Sequence, residues 1–177
     1  MVHHYFGSKQ GLYQACIDTM LKELGGLREE LGAHITSQQG ALPIVIAGAV
    51  RIGFRFARSH RTAVRLLQRS LVDTGELDAK VREQNVLPFL DIISEAIWGL
   101  SGRPAQTLRL PVQSSMFLVV RYAITTDREL GLLVGSYVDG FQAAGDTPAQ
   151  VVAVEEHLCR ACLQLLGLET AALSRSA

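Results

Sequence analysis

Residues 2–13 read Val2-His3-His4-Tyr5-Phe6-Gly7-Ser8-Lys9-Gln10-Gly11-Leu12-Tyr13. This order predicts the end of one helix, a tight turn, and a second helix that begins at Ser8. Serine is a favoured N-cap, because its hydroxyl accepts a backbone N–H that the start of a helix leaves unpaired. From Leu12 to Leu31 apolar residues recur at spacings of three and four. The second helix is therefore expected to be long and amphipathic.

The same periodicity continues along almost the whole chain, without the alternation typical of strands. We therefore expect an all-α fold. Further helices are predicted over 42–59, 62–72, 77–100, 111–125, 128–141 and 148–166, with a loop over 103–110. Pro88 predicts a kink near 84–85, and Gly102 is expected to end that helix. Thr147-Pro148-Ala149-Gln150 predicts a capping box for the last helix.

The composition limits the class of protein. Of the 177 residues, 48% are hydrophobic and 19% charged, which is typical of one globular domain. The 17 basic residues balance 17 acidic ones, so the charge itself indicates no nucleic-acid partner. No signal peptide is recognisable, and the densest apolar run, 41–50, is too short to span a bilayer. We therefore expect a cytoplasmic protein without a membrane partner.

The three cysteines are Cys16, Cys159 and Cys162. A low, odd number is typical of a reducing compartment. Cys159 and Cys162 have the spacing of redox and metal sites, but they lie inside an apolar helical pattern. Packing as small buried side chains is the preferred interpretation, and no metal or cofactor is expected.

Residues 2–13 resemble the end of the DNA-binding domain of the tetracycline-repressor (TetR) family of transcriptional regulators. Three later segments resemble the ligand-binding domain of that family. They are Ser59-His60-Arg61-Thr62-Ala63-Val64-Arg65-Leu66-Leu67, then Asp73-Thr74-Gly75, then Val86-Leu87-Pro88-Phe89-Leu90. Their order and spacing extend the resemblance over nearly the whole chain.

The resemblance implies a small helix-turn-helix domain that binds operator DNA. It also implies a larger helical domain that binds a small-molecule effector and forms a homodimer through its last two long helices. His3, His4 and Tyr5 would then face DNA bases and phosphates, and Lys9 would contact a phosphate.

The resemblance also divides the chain. Residues 1–7 correspond to a remnant of the recognition helix, 8–34 to a connecting helix, 35–170 to the ligand-binding and dimerisation domain, and 171–177 to a flexible tail. The two helices that precede the recognition helix in the family have no counterpart here. An isolated short helix is marginal in water. The remnant is therefore expected to fray, and the chain as given to bind DNA poorly. An upstream start codon, a trimmed chain or a degenerate gene copy would each explain the missing helices.

Candidate pocket residues lie on helices expected to pack centrally. Ligand pockets are mostly apolar with a few polar groups. An aromatic side chain at helical spacing is more often plain core, and Asn85 beside the predicted kink is the strongest single candidate. The candidates are Phe54, Arg65, Leu67, Gln68, Leu71, Asn85, Phe89, Ile93, Trp98 and Tyr122.

A row of arginines follows near-helical spacing. Its members are Arg51, Arg55, Arg58, Arg65 and Arg69. The row is compatible with an anionic ligand, but a solvated helix face is the preferred interpretation.

Two predicted helices near the end of the chain carry apolar faces that could form a four-helix interface between two subunits. The alternative is a core within one chain. The candidate interface residues are Met116, Val119, Val120, Val151, Val154, Leu158, Cys162 and Leu165.

The expected function is that of a ligand-responsive, DNA-binding transcriptional regulator, with repression the commonest role in the family. The alternative is a helical small-molecule-binding or dimerisation module without DNA activity. The sequence has no Gly-x-x-x-x-Gly-Lys, Gly-x-Ser-x-Gly or His-Glu-x-x-His motif, so we do not expect an enzyme.

Overall fold

The computed structural model describes residues 7–37, 41–135 and 146–168. These residues form helices and no strand, which confirms the predicted all-α class. In chain order the helices are α1 (Lys9–Ser37), α2 (Leu42–Ser59), α3 (Arg61–Thr74), α4 (Ala79–Val81), α5 (Leu87–Ser101), α6 (Ala105–Ile124), α7 (Asp127–Val134) and α8 (Ala149–Leu165). A π-helical turn, Arg82–Val86, joins α4 directly to α5.

Most helix ends lie where the local chemistry predicts them. The hydroxyl of Ser8 accepts the backbone N–H of Gly11 at 3.0 Å, as expected for the N-terminus of α1. α2 has the predicted bounds. Gly75 and Gly102 end α3 and α5 at φ of 76° and 70°, a left-handed conformation that glycine adopts at little cost.

The disturbance predicted from Pro88 is present at the predicted place, as a π-helical turn. Proline has no backbone N–H, and its ring crowds the carbonyl of the preceding helical turn. The turn before it is widened, and the N–H of Leu87 bonds to the carbonyl of Arg82. Asn85 lies in this turn.

The loop predicted over 103–110 is wrong, because α6 begins at Ala105 and continues through Pro111. A proline inside a helix costs about 3 kcal/mol. Leu108 precedes it in the same helix and is fully buried, and burying a leucine contributes roughly 1.5–3 kcal/mol. Core packing of this segment therefore offsets the lost hydrogen bond.

Other predicted bounds and one predicted cap also change, and the helix predicted over 62–72 spans Arg61–Thr74. α1 passes the predicted boundary at residue 34 and ends at Ser37. The helix predicted over 128–141 begins one residue earlier, at Asp127, and ends at Val134, while 136–141 lie outside the described residues. The capping box predicted at Thr147 is wrong, because Pro148 occupies the N-cap of α8 and no side chain bonds to that cap.

Helix α2 lies at the centre of the bundle, in contact with α1, α3, α6 and α8. One core cluster joins it to α1, α3, α6, α7 and α8, with Phe54 and Leu158 both fully buried. A second cluster joins it to α5, α6 and the end of α8, around Ile97 and Leu108. No helix in the described part of the chain combines the length and hydrophobicity needed to cross a membrane.

Helices α6 and α8 pack in opposite directions. Tyr122, late in α6, makes an edge contact with His157, with ring centroids 5.7 Å apart. Val112, earlier in α6, shares a core cluster with Leu166, at the end of α8. The pair is therefore antiparallel.

Helices α1 and α2 approach closely at Gly48. The Nε2 atom of His34 lies 3.0 Å from the carbonyl oxygen of Val45. A Cβ atom at position 48 would lie 2.3 Å from that same Nε2 atom. The hydrogen-bonded position of His34 therefore requires a glycine opposite it.

We predict that Gly48→Ala lowers the free energy of unfolding by about 1 kcal/mol relative to Gly53→Ala, since it displaces His34 from its hydrogen bond. Gly53 is the matched control, because it lies in the same helix and a Cβ there would meet nothing within 4 Å. Urea unfolding of both variants measures the difference. Repeating the pair in a His34→Ala background should abolish it; a difference that persists there would contradict the explanation.

Candidate ligand cavity

A cavity of about 240 Å³ lies between α1, α2, α3, α5 and α6. The segment from Leu77 to Val86 and the end of α8 complete its wall. Most of the wall is apolar. Representative apolar residues are Met20, Leu24, Leu27, Leu31, Ile46, Val50, Phe56, Val64, Leu67, Val81, Phe89, Ile93, Ile97, Met116, Val119 and Val120. An apolar cavity of about 150 Å³ is enough to bind benzene. This one has room for a somewhat larger molecule.

Only a few polar or charged side chains reach this wall. They are Arg28, Gln68, Asn85, Gln113 and Ser115. The hydroxyl of Ser115 donates to the carbonyl of Pro111 at 2.9 Å. Asn85 is 8% exposed, and its side-chain amide has no hydrogen-bond partner in the described ranges. The cavity is thus a mostly apolar space with an unpaired amide in its wall.

Half of the predicted pocket residues lie in this wall. The structure brings together Leu67, Gln68, Asn85, Phe89 and Ile93. Leu71 lies outside the wall. Phe54 is instead a fully buried core residue, with the guanidinium of Arg58 5.7 Å from its ring centroid. Trp98 is 52% exposed, and Tyr122 packs against His157.

Arg65 also lies away from the cavity. Its Nε donates to the carbonyl of Ile124 at 3.0 Å, a favourable place for a cation because carbonyls at a helix C-terminus carry partial negative charge. Arg65 lines a separate groove between α1 and α3, together with Leu12 and Cys16.

The contribution of α1 to the cavity was missed by the sequence analysis. Met20, Leu24 and Leu27 belong to the apolar stripe that the sequence shows, but they were assigned to a connecting helix. The stripe indicates a buried face. It does not indicate that the face borders an open space.

The predicted interface residues are largely buried inside the chain. Val151, Val154, Leu158 and Cys162 are core residues of α8. They therefore do not form an outer face. Met116, Val119 and Val120 line the cavity. Only Leu165 among the candidates is classed as exposed, at 42%.

The arginine row forms ion pairs and does not reach the cavity. Arg55 donates two hydrogen bonds of 2.8 Å to the buried carboxylate of Glu155, which raises the pKa of the guanidinium. Arg51 bonds to Glu156 at 2.8 Å, and Arg58 pairs with Asp127. These pairs connect α2 to α7 and α8. Arg55 keeps 70% of its side chain exposed, as expected for a solvated face, whereas Arg58 is mostly buried.

Cys159 and Cys162 are both buried and form no disulfide, which confirms the packing interpretation. Cys159 donates its thiol to the carbonyl of Ala47 at 3.5 Å. Burial raises the pKa of Cys159 to about 11 and raises that of Cys162. Within 7–37, 41–135 and 146–168, no group of three His, Cys, Asp or Glu residues is arranged to hold a metal ion.

One ion pair ties the cavity segment to α1. The Nζ of Lys80 lies 2.6 Å from the carboxylate of Asp18, and this hydrogen bond lowers the pKa of Asp18. The carboxylate of Asp78 caps α4 by accepting the backbone N–H of Lys80 at 2.9 Å. The turn that carries Asn85 is thereby linked to the first helix.

The predicted DNA contacts cannot be placed in this geometry. His3, His4 and Tyr5 lie outside the described residues, and so does the side chain of Lys9. The predicted tail, 171–177, lies outside them too. Comparisons with protein-family models, with curated proteins and with solved structures each gave no match.

We predict that one thiol per folded chain reacts with Ellman's reagent at pH 8. A thiol with a pKa of about 11 is ionised in roughly one molecule in a thousand at that pH. Cys159 and Cys162 should therefore stay unreacted, whereas the partly exposed Cys16 reacts. Cys16→Ser should remove the native reaction, and unfolding should expose all three thiols of the wild-type chain. Rapid reaction of Cys159 in the folded chain would contradict this assignment.

Proposed function

We propose that this chain is the ligand-sensing part of a TetR-like, DNA-binding transcriptional regulator, active as a homodimer. One observation carries the proposal. α1 directly follows the segment that resembles a DNA-recognition helix, and the same helix supplies Met20, Leu24, Leu27 and Leu31 to the cavity wall. A guest in the cavity would therefore contact the helix that leads to the DNA-binding segment.

The mechanism we propose is a shift between two orientations of α1. A ligand that fits the cavity better in one orientation increases its population, by as much as its affinities for the two orientations differ. The contact between Lys80 and Asp18 adds a second connection, since it joins the segment around Asn85 to α1. The separation of two DNA-binding segments in a dimer would change accordingly. Repression is the expected outcome at most operators.

The surface best suited to dimerisation is the outer side of the antiparallel pair α6 and α8. Leu110 of α6 is 78% exposed and Leu165 of α8 is 42% exposed, and neither lines the cavity. Two such helices from each subunit could form a four-helix bundle about a two-fold axis. This surface replaces the residues predicted from the sequence, most of which are buried within one chain.

We predict that the wild-type chain sediments as a dimer and that Leu110→Glu sediments as a monomer, because the charge would be buried at the interface. Leu132→Glu is the control, since Leu132 is exposed on α7, a helix outside this pair. Analytical ultracentrifugation distinguishes the states. A monomeric wild-type chain at micromolar concentration would contradict the proposed dimer.

We predict selective DNA binding, tested with the 177-residue chain and with a chain extended upstream in frame. Fluorescence anisotropy with fragments flanking its own gene, at several salt concentrations, measures both. In the extended chain, Lys9→Ala should weaken binding and reduce the slope of log affinity against log salt by about 1, as expected for one lost phosphate contact. Lys22→Ala, at an exposed position of α1, is the control.

The outcomes of the DNA experiment decide between the regulator proposal and its alternative. Tight, selective binding by either chain would support the regulator proposal. Absence of binding by both chains would overturn the regulator proposal in favour of a ligand-binding or dimerisation module without DNA activity.

A further inference from the structure

We infer that the cavity selects an electrically neutral, mostly apolar molecule with one polar group, and that the Asn85 side chain binds that group. The inference rests on the proposed ligand-sensing function and specifies its ligand class. It depends on the chemistry of the cavity wall and on the place of Asn85 in the fold.

The amide of Asn85 is a buried polar group that lacks a partner. Asn85 is more than nine-tenths buried and lines the cavity, yet no other described residue bonds to its side chain. Its amide atoms are not among the fully enclosed unpaired atoms of the described residues, which are Arg58 Nη1 and Ser94 Oγ, so the amide keeps accessible surface in a residue that lines the cavity. A hydroxyl, carbonyl or amide of a guest would satisfy it, because a side-chain amide both donates and accepts hydrogen bonds.

The π-helical turn accounts for the position of this amide. Pro88 prevents a regular helix from continuing through Arg82–Val86, and the widened turn places Asn85 beside the cavity. Single π-helical turns within helices occur often at functional sites. The same turn supplies Val86, so one short segment presents an apolar and a polar contact together.

The distribution of charge indicates a neutral guest. Arg28 is the one charged residue in the described wall, and no acid lies there. It is half-buried, so its long apolar stem can cover the cavity edge while the guanidinium reaches water. Arg51, Arg55 and Arg58 are paired with acids of α7 and α8. A carboxylate placed beside Asn85 would lose hydration, and Arg28 is the one cation in the described wall that could offset this loss.

Three probes with the same ring system test the inference by isothermal titration calorimetry. Naphthalene has no polar group, 2-naphthol has a neutral one and 2-naphthoate has an anionic one. The full chain should bind 2-naphthol about 3- to 10-fold more tightly than naphthalene, the contribution of one neutral hydrogen bond. It should bind 2-naphthoate least tightly.

The variant Asn85→Leu should abolish the preference for 2-naphthol while retaining affinity for naphthalene, which also shows that the cavity is intact. Gln84→Leu, an exposed position in the same turn, should leave the preference unchanged. A preference that survives Asn85→Leu would overturn the role of Asn85. Strongest binding of 2-naphthoate, lost in Arg28→Gln, would overturn the neutral ligand class.

These measurements use no DNA, so they are independent of the regulator proposal. If none of the probes binds, the ligand class inferred here is wrong. The DNA experiment would still decide whether the chain acts on an operator.

Discussion

The burial of α2 is the constraint on which the rest of the structure depends. This helix contacts α1, α3, α6 and α8, so its surface must satisfy several neighbours at once. On one side of α2, Phe54 is fully buried in the core. On another side, Arg51 bonds to Glu156 and Arg55 bonds to Glu155, both residues of α8. An arginine–carboxylate pair with two parallel hydrogen bonds has a narrow geometry. The Arg55–Glu155 pair has this geometry and joins α2 to α8, and the cavity lies on another side of α2.

The ion pairs of the described residues involve no residue of the cavity wall. Arg51, Arg55 and Arg58 bond to acids, and Arg65 bonds to the carbonyl of Ile124 at the end of a helix. The thiol of Cys159 is held in a core where ionisation is disfavoured. The amide of Asn85 differs from these groups, because it belongs to the cavity wall and no other described residue bonds to it. A charged guest would meet few groups of opposite charge in the cavity wall. An apolar guest would contact a mostly apolar surface.

The helical architecture could be predicted from the sequence because its signals are local. Apolar spacing shows which face of a helix is buried, Ser8 marks a start, and Gly75 and Gly102 mark stops. The start of α6 could not be predicted, since Pro111 opposes a helix locally and the burial of Leu108, which favours it, depends on distant residues. The sequence also did not distinguish residues that pack in the core from residues that line the cavity.

Phe54 and Leu67 illustrate that last difficulty. Both belong to apolar faces of helices, but one is enclosed by the core and the other borders a space. Periodicity identifies a buried face without identifying what lies opposite it. Asn85 was identified correctly as a residue beside the disturbance at Pro88, because there the signal was chemical and local. Whether another residue forms a hydrogen bond with the Asn85 amide depends on the packed structure.

Gly53 leaves open space in the cavity wall, because glycine has no side chain. It lies in the wall, on the rigid central helix, and the space above its Cα is empty. The volume available to a guest is therefore set partly by a missing side chain, at a position that the core does not need for packing. Substitutions there could change the size of the accepted molecule in steps of one carbon at a time. Ligand preference could thus diverge between related chains while the surrounding fold stayed the same.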